Sequence, residues 1–285
     1  MRATVVQGSL WLLSALALMA GGCGENETPP PEKDPYQPPT IAPLSCIPNL
    51  DNRIDAVELQ ASYDVPQSLL VSPAGEERAV DTVGEAVEGG GFLLKWDADF
   101  ASDQVARISA QVLGGQWFAE SFPEGQFVTP NDLGGRILGV YRQTEQEFQL
   151  LGLASAEQDP PEGRTLLVYE TPIALYKFPI QPGGTWISTG QYKNGIVQGL
   201  QIASLDTYET KVEGPYEVRL PELIFQQAMR VSTRVTLQPV VGATLVTHQV
   251  SFLTECFGEV ARATSKTGET NDAFTVAAEV RRLGF

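Results

Sequence analysis

The chain is poor in histidine, since His248 is the only one among 285 residues. A zinc site of the HExxH type needs two histidines on one helix, and a His-rich metal cluster needs several, so both are excluded. His248 lies in a predicted strand on the same side as Val246, Val250 and Phe252. We therefore expect a buried core histidine rather than a catalytic base.

Motifs for nucleophilic and phosphate chemistry are missing as well. No Gly-x-Ser-x-Gly elbow nominates a catalytic serine, and the glycine run 89–91 lacks the lysine and the strand–helix context of a phosphate loop. Carboxylate pairs for glycoside hydrolysis need proximity in space rather than in sequence, and nothing favours one pair. The sequence thus nominates no catalytic residue.

Basic residues are scarce too: 19 Lys and Arg stand against 35 Asp and Glu, for a formal net charge of −16. Residues 1–22 contain one charge, Arg2, so the chain without them carries −17. Such a surface repels nucleic acid and anionic lipid head groups. We expect no nucleic-acid partner.

Long hydrophobic runs are also lacking, and the longest, Leu10 to Ala20, is too short for the roughly 20 apolar residues of a transmembrane helix. It follows one positive charge at Arg2 and precedes Gly21 and Gly22, which is the layout of an export signal. We therefore predict a signal peptide at residues 1–22.

The small residues before Cys23 resemble a lipobox, the motif of bacterial outer-membrane lipoproteins. The resemblance implies that Cys23 is acylated and becomes the new N-terminus, and Gly24, where an aspartate would signal inner-membrane retention, implies the outer membrane. The alternative is an ordinary cleaved signal with an incidental cysteine. The Pro-rich, polar segment 23–45 is predicted to be an extended tether for a domain facing the periplasm or the outside.

Cys46 and Cys256 remain once Cys23 carries lipid, in a compartment that permits disulfides. We predict that they pair and close a loop of about 210 residues, for at most ~5 kcal/mol on the chain-entropy model. The alternative is two buried free thiols.

The folded part is predicted to be mainly β. Residues 46–90 form a small N-terminal segment with one short helix at Asp55 to Ala61, and residues 91–285 form an antiparallel β domain. Val231 to Leu237 alternates apolar and polar residues as a half-buried strand does, and short connections such as Asn194-Gly195 and Glu213-Gly214-Pro215 indicate hairpins. Further strand candidates are Phe92–Trp96, Val105–Leu113, Ile137–Arg142, Phe148–Leu153, Thr165–Tyr169, Thr185–Thr189, Tyr208–Val212, Thr244–Thr254, Glu259–Thr264 and Phe274–Arg282.

The C-terminal region carries a second, weakly specific resemblance. Gly214, Pro221, Phe225 and the run Ala228–Val231 are similar to a pattern of uncharacterised secreted bacterial proteins, over about 60 residues. The resemblance implies a curved antiparallel sheet or an incomplete barrel with few short helices, like the folds of lipoprotein carriers. It transfers no activity and no functional residue.

One acidic string resembles the later part of an EF-hand calcium loop. Aligned on Glu58 as the twelfth ligand, Asn49, Asp51 and Asp55 fall at the third, fifth and ninth positions. Ile47 stands where the first aspartate belongs. The two alternatives for this string are therefore a calcium site and a turn rich in Asn and Asp that leads into the short helix.

The leading hypothesis is a non-catalytic envelope lipoprotein, a binding or structural β domain tethered to the outer membrane and contacting an envelope protein. The main alternative is a carrier that encloses a hydrophobic ligand or a lipid acyl chain in a half-barrel cavity. A third class is a hydrolase of envelope polymers. No cofactor is expected apart from the possible calcium ion at residues 49–58.

Overall fold

The computed structural model describes residues 46–284. The signal peptide at 1–22, the acylation of Cys23 and the tether at 23–45 lie outside the described residues. Within residues 46–284, no helix has the length and apolar character needed to cross a membrane.

Residues 46–284 form sixteen strands and two short 3-10 helices, at Ala56–Leu59 and Ala119–Ser121. The strands are β1 Gln67–Val71, β2 Arg78–Ala79, β3 Glu85–Ala86, β4 Phe92–Lys95, β5 Gln104–Ile108, β6 Gln111–Val112, β7 Phe127–Pro130, β8 Ile137–Gln143, β9 Glu147–Ser155, β10 Leu166–Lys177, β11 Thr185–Val197, β12 Leu200–Arg219, β13 Ile224–Pro239, β14 Leu245–Thr254, β15 Gly258–Ser265 and β16 Val276–Leu283. The predicted helix at 55–61 is thus a single 3-10 turn.

All sixteen strands belong to one sheet, whose main path runs β5-β1-β16-β15-β14-β13-β12-β11-β10-β9-β8-β7-β6. Neighbours on this path pair antiparallel, whereas β4 pairs parallel with β12 at one end of that strand. The short strands of residues 46–90 pair with β16, β5 and β4, so they belong to the same sheet. The predicted fold class, a curved antiparallel sheet that is not closed into a barrel, is confirmed.

The sheet curls until its two edges meet. Edge strands β5 and β6 are consecutive in the chain, and only Ser109 and Ala110 separate them. Ile108 and Gln111 are three residues apart, so their Cα atoms are at most about 11 Å from each other. The chain itself therefore straps one edge to the other, although no strand pairing closes the ring among the described residues.

Contacts across the curl define an inner face. Burial raises the pKa of Tyr176 on β10, and the Ser251 hydroxyl on β14, four strands away along the sheet, lies close enough to oppose that rise. The Arg281 guanidinium on β16 donates to the carbonyl of Asn131, which follows β7, over 3.3 Å. These side chains can meet only if the two halves of the sheet face each other.

Residues 46–59 plug one end of the curl, which we call the closed end. Ile54 pairs through both of its backbone groups with Ile180, over 2.9 Å each, and packs into an apolar cluster with Val212, Met229 and Leu253. The Cys46–Cys256 disulfide, with a Cα–Cα distance of 5.5 Å, fixes the plug to the turn between β14 and β15. The predicted disulfide is confirmed.

The outer face is covered in two places. Leu94 and Trp96 pack with Phe252 and neighbours from β12 to β16, and Phe118 and Phe122 pack over β7 to β9. The outer face around Ile187 on β11, Glu209 on β12 and Arg234 on β13 is not covered in this way: Ile187 there is 65% exposed.

Two predicted hairpins are wrong. Strand β11 continues through Asn194-Gly195, and β12 continues through Gly214-Pro215, so these strands have 13 and 20 residues. In both places the register shifts, between Tyr192 and Gly195 and between Glu213 and Tyr216, so the residues that favour turns occupy β-bulges.

Candidate functional site

The open end of the curl, opposite the plug, contains a concavity of about 350 Å³ between the ends of β8, β9, β10 and β11. Four apolar side chains on the inner face line it: Ile137, Leu153, Leu167 and Val197. Ile137, Leu153 and Val197 are half-buried and Leu167 is buried. We call this concavity the mouth, because it leads from solvent to the inner face.

Tyr141 lies on the same strand face as Ile137, with Gly139 between them, and is further from the mouth. Its hydroxyl rests over Gly139, where any Cβ atom would overlap the phenol, so the glycine makes room for the ring. Burial raises the pKa of Tyr141, while the neighbouring Thr129 hydroxyl opposes that rise. The ring also packs 5.6 Å from Phe127 and 5.4 Å from Phe148, centroid to centroid.

Four charged side chains lie on the inner face of β15 and β16, opposite Tyr141 and Tyr176. We call them the inner charge cluster: Glu259, Arg262, Glu279 and Arg281. Arg281 donates to both carboxylate oxygens of Glu279, over 2.6 and 3.2 Å. Glu259 accepts a hydrogen bond from the Ser251 hydroxyl over 2.7 Å.

Arg262 is the member of this cluster with the weakest partners. Its Nε lies 3.5 Å from Glu259 and its Nη2 lies 3.9 Å from Glu279, which are ion-pair distances rather than hydrogen bonds. Its buried Nε has no hydrogen-bond partner in the described part of the chain. The guanidinium therefore keeps spare donors that point into the curl.

The inner face remains accessible to solvent around this cluster. The side chains of Arg262, Glu259 and Glu279 keep 19%, 27% and 27% of their accessible surface, although they face the opposite wall of the curl. Solvent therefore reaches part of the inner face beside these side chains.

A second polar group lies further along the inner face. Asp206 is buried and accepts hydrogen bonds from the Tyr169 hydroxyl over 2.7 Å and the Ser204 hydroxyl over 2.6 Å. Burial raises the pKa of Asp206, and the two hydroxyl groups oppose that rise. Burial, together with the carboxylate, also raises the pKa of Tyr208.

The uncovered part of the outer face carries another concavity, an open groove of about 810 Å³. One wall is the loop at 266–272, and the floor is the outer face of β11 to β13. Glu209 and Arg234 form an exposed ion pair of 2.9 Å on this floor, beside Ile187. We call this concavity the outer groove.

The four predicted calcium ligands do not direct their oxygen atoms to one point. Glu58 is buried and accepts from the Asn49 side-chain amide over 2.9 Å and from the Asp55 backbone over 2.8 Å. Asp55 instead accepts from Arg53, and Asp51 accepts from the backbone of Arg53. Burial is the main cause of the raised pKa of Glu58. Among residues 46–284 no group of three or more Asp, Glu, His or Cys side chains is arranged to hold a metal ion, and calcium binding stays a prediction.

His248 is buried in the outer-face core, on the predicted apolar side of β14. Its Nδ1 lies 3.1 Å from the Asp272 carboxylate, whereas its Nε2 has no hydrogen-bond partner among the described residues. The lone histidine is therefore a core residue, held by one partner.

The inner charge cluster was not identified from the sequence. Arg262 and Thr264 alternate with apolar residues along β15, and Glu259 lies near its start, which is also the pattern of a strand with one solvated face. Only the curl of the sheet turns that polar face inward. Comparisons with protein-family models, curated proteins and solved structures give no match for this chain.

Proposed function

We propose that the folded part is a non-catalytic binding domain that takes a ligand through the mouth onto the inner face of the curled sheet, as a carrier does. The concavity at the mouth, together with the solvent exposure of the charged side chains on the inner face, carries this proposal. The mouth, with a volume of about 350 Å³, is at the low end of the range of ligand pockets, which is roughly 300–1,000 Å³. Solvent also reaches the side chains of the inner charge cluster, which keep part of their accessible surface.

The proposal includes an envelope location. The export signal at 1–22 and the lipobox resemblance at Cys23 support acylation of the chain and attachment to the outer membrane, with segment 23–45 as the tether. Attachment through lipid would keep the binding domain close to its source of apolar ligands. The outer membrane is then the first place to look for a ligand.

Native mass spectrometry tests both statements on the full-length chain. Wild-type protein should lose residues 1–22 and gain the mass of acyl groups, and Cys23→Ser should not gain it. The soluble Cys23→Ser form should carry a small-molecule mass that is lost under denaturing conditions. An unacylated wild type would contradict the anchor, and a bare Cys23→Ser chain would contradict the carrier.

Two further substitutions in the Cys23→Ser background locate the ligand. Val197→Trp fills the mouth and should abolish the bound mass, because the larger ring occupies the entrance. Ile187→Trp adds the same ring to the outer groove and should leave the bound mass unchanged. Loss of the mass in Ile187→Trp alone would place the ligand outside the curl.

The outer groove favours a second candidate function, contact with an envelope protein. Its floor is the uncovered face of three long strands, with exposed Ile187 beside the Glu209–Arg234 pair. Such a mixture of apolar and charged side chains is common at protein interfaces. A partner that binds wild type and Val197→Trp equally, but not Ile187→Trp, would favour this candidate.

A further inference from the structure

We infer that the inner site selects an amphiphile with an uncharged, oxygen-rich head group, which binds at the inner charge cluster while its apolar chain lies in the mouth. This inference rests on the proposed carrier function and names its ligand class. It follows from the charges of the cluster, the unused donors of Arg262 and the order of side chains between the mouth and the cluster.

The cluster is electrically balanced. Two guanidinium groups, Arg262 and Arg281, face two carboxylates, Glu259 and Glu279, so the formal charge of the four is zero. A charged head group would leave one unpaired charge in a half-buried site, which costs far more than placing an uncharged polar group there. Balance therefore favours a neutral head.

The cluster nevertheless offers hydrogen bonds. Arg262 has donors that no described residue uses, and the Tyr141 and Tyr176 hydroxyl groups lie opposite it. These groups can donate to hydroxyl, ester or carbonyl oxygens. The carboxylates of Glu259 and Glu279 can in turn accept from ligand hydroxyl groups. A head with several oxygens satisfies both kinds of group.

The path from the mouth to the cluster changes from apolar to polar. Ile137 lines the mouth, and two residues further the phenol ring of Tyr141 folds back over Gly139 on the same strand face. About 7 Å of strand thus separates the entrance from the ring, which lies near the cluster. Asn131 connects the two regions, because it lines the mouth and its carbonyl accepts from Arg281. A chain in the mouth would thus present its head to the cluster.

Three probes with the same ten-carbon chain test the inference on the Cys23→Ser protein, after any co-purified ligand has been removed. They are the monoglyceride of decanoic acid, decanoic acid itself and decyltrimethylammonium, each used below the concentration at which it forms micelles. Isothermal titration calorimetry should show the monoglyceride binding at least about tenfold more tightly than either charged probe. Equal or tighter binding of a charged probe would overturn the inference.

A change of one charge in the cluster should change this selectivity. Glu279→Gln leaves a net charge of +1 and should improve the affinity for decanoic acid, relative to the monoglyceride, by about tenfold. Glu209→Gln makes the same change on the outer face and should leave the ratio unchanged. An unchanged ratio in a folded Glu279→Gln variant would contradict the assignment of the head to this cluster.

Glu259→Gln makes the same charge change, so it replaces Glu279→Gln if circular dichroism shows that Glu279→Gln does not fold.

Different results would contradict the carrier function and the neutral head group. If no probe binds and the protein carries no ligand, the carrier function is wrong, and this inference falls with it. If a charged probe binds and is blocked by Val197→Trp, the carrier function stands and only the neutral head is wrong.

Discussion

Asp206 shows how one buried side chain can make stability depend on pH. Its carboxyl is 3% exposed and bound by the hydroxyl groups of Tyr169 and Ser204, and burial raises its pKa above the ordinary value. The folded state therefore holds the proton at pH values where the unfolded chain has released it. This contribution to stability is fully present below the unfolded pKa of about 3.9 and is lost as pH rises through the folded pKa.

Asp206→Asn should remove this dependence. Asparagine still accepts from Tyr169 and can donate to Ser204, but it does not ionise. The melting temperature of the variant should rise relative to wild type between about pH 4 and pH 7, with a gain in stability on the order of 1 kcal/mol at the upper end. Glu209→Gln, on the exposed outer face, serves as control. Parallel pH profiles of Asp206→Asn and wild type would contradict this account.

For single residues, the sequence predicted which cysteines pair, but it did not predict which residues surround a given side chain. The pairing of Cys46 with Cys256 was predicted from the number of cysteines and the predicted export signal, and the two residues are bonded. Arg262 could not be singled out, because an inward-facing arginine and a solvated one have the same neighbours in sequence. What makes Arg262 unusual is the opposite wall of the curl, which lies more than 80 residues away at Tyr176.

Among the strands, β9 and β10 depend on a glycine for their close approach. A Cβ atom at Gly152 would overlap the carbonyl oxygen of Leu167 and lie 2.6 Å from the Phe122 ring. Gly152→Ala should therefore destabilise the protein by about 1–3 kcal/mol, through strain in the strand pair and in the cluster above it. Chemical denaturation measures the loss. Gly114→Ala, where nothing lies within 4 Å, should change stability little, and equal effects of the two substitutions would contradict the steric explanation.

Strand positions were predictable where the pattern was local, and strand ends were not. Val231 to Leu237 alternates in sequence and lies within β13, paired on both sides. Asn194-Gly195 and Gly214-Pro215 favour turns, but glycine also permits the bulges they occupy. The choice between a turn and a bulge depends on whether the neighbouring strand continues past it, and that information lies elsewhere in the chain.

For the whole molecule, the disulfide secures the plug more than the sheet. Glu255 adds to it, because its carboxylate accepts from the backbone N–H groups of Asn49 and Leu50, over 2.5 and 2.9 Å. Cys256 also donates its own backbone N–H to the Glu58 carbonyl, over 2.8 Å. Three connections thus join one segment of 46–59 to one turn of the sheet.

Replacing both cysteines, Cys46→Ser with Cys256→Ser, should lower the free energy of unfolding by about 2–5 kcal/mol. Hydrogen exchange should become faster in residues 46–59, while the amides of β11, β12 and β13 remain protected. Glu88→Ala, in an exposed turn, is the control, because a substitution at this exposed position should leave stability and exchange unchanged. Faster exchange across the whole sheet, with no additional effect on the plug, would contradict a local role for the disulfide.

The curl of the sheet was predictable as a class, but not the meeting of its edges. Runs of strands with short connections predicted an antiparallel sheet, and the curved form came from a weak resemblance. Ser109 and Ala110 join the two edge strands directly, because β5 and β6 follow each other in sequence. In the order of the sheet, eleven other strands lie between β5 and β6. No local pattern encodes that relation.

The disulfide also determines where mechanical tension on the N-terminal side would act. A pull on Cys46 passes across the sulfur atoms to Cys256, at the turn between β14 and β15, and each of these strands is paired on both sides. Without the bridge, the same pull would first unravel residues 46–66 and then peel β1 from its neighbours near the sheet edge. A domain held by a tether would thus transmit force to the middle of its sheet, where several strand pairs must yield together.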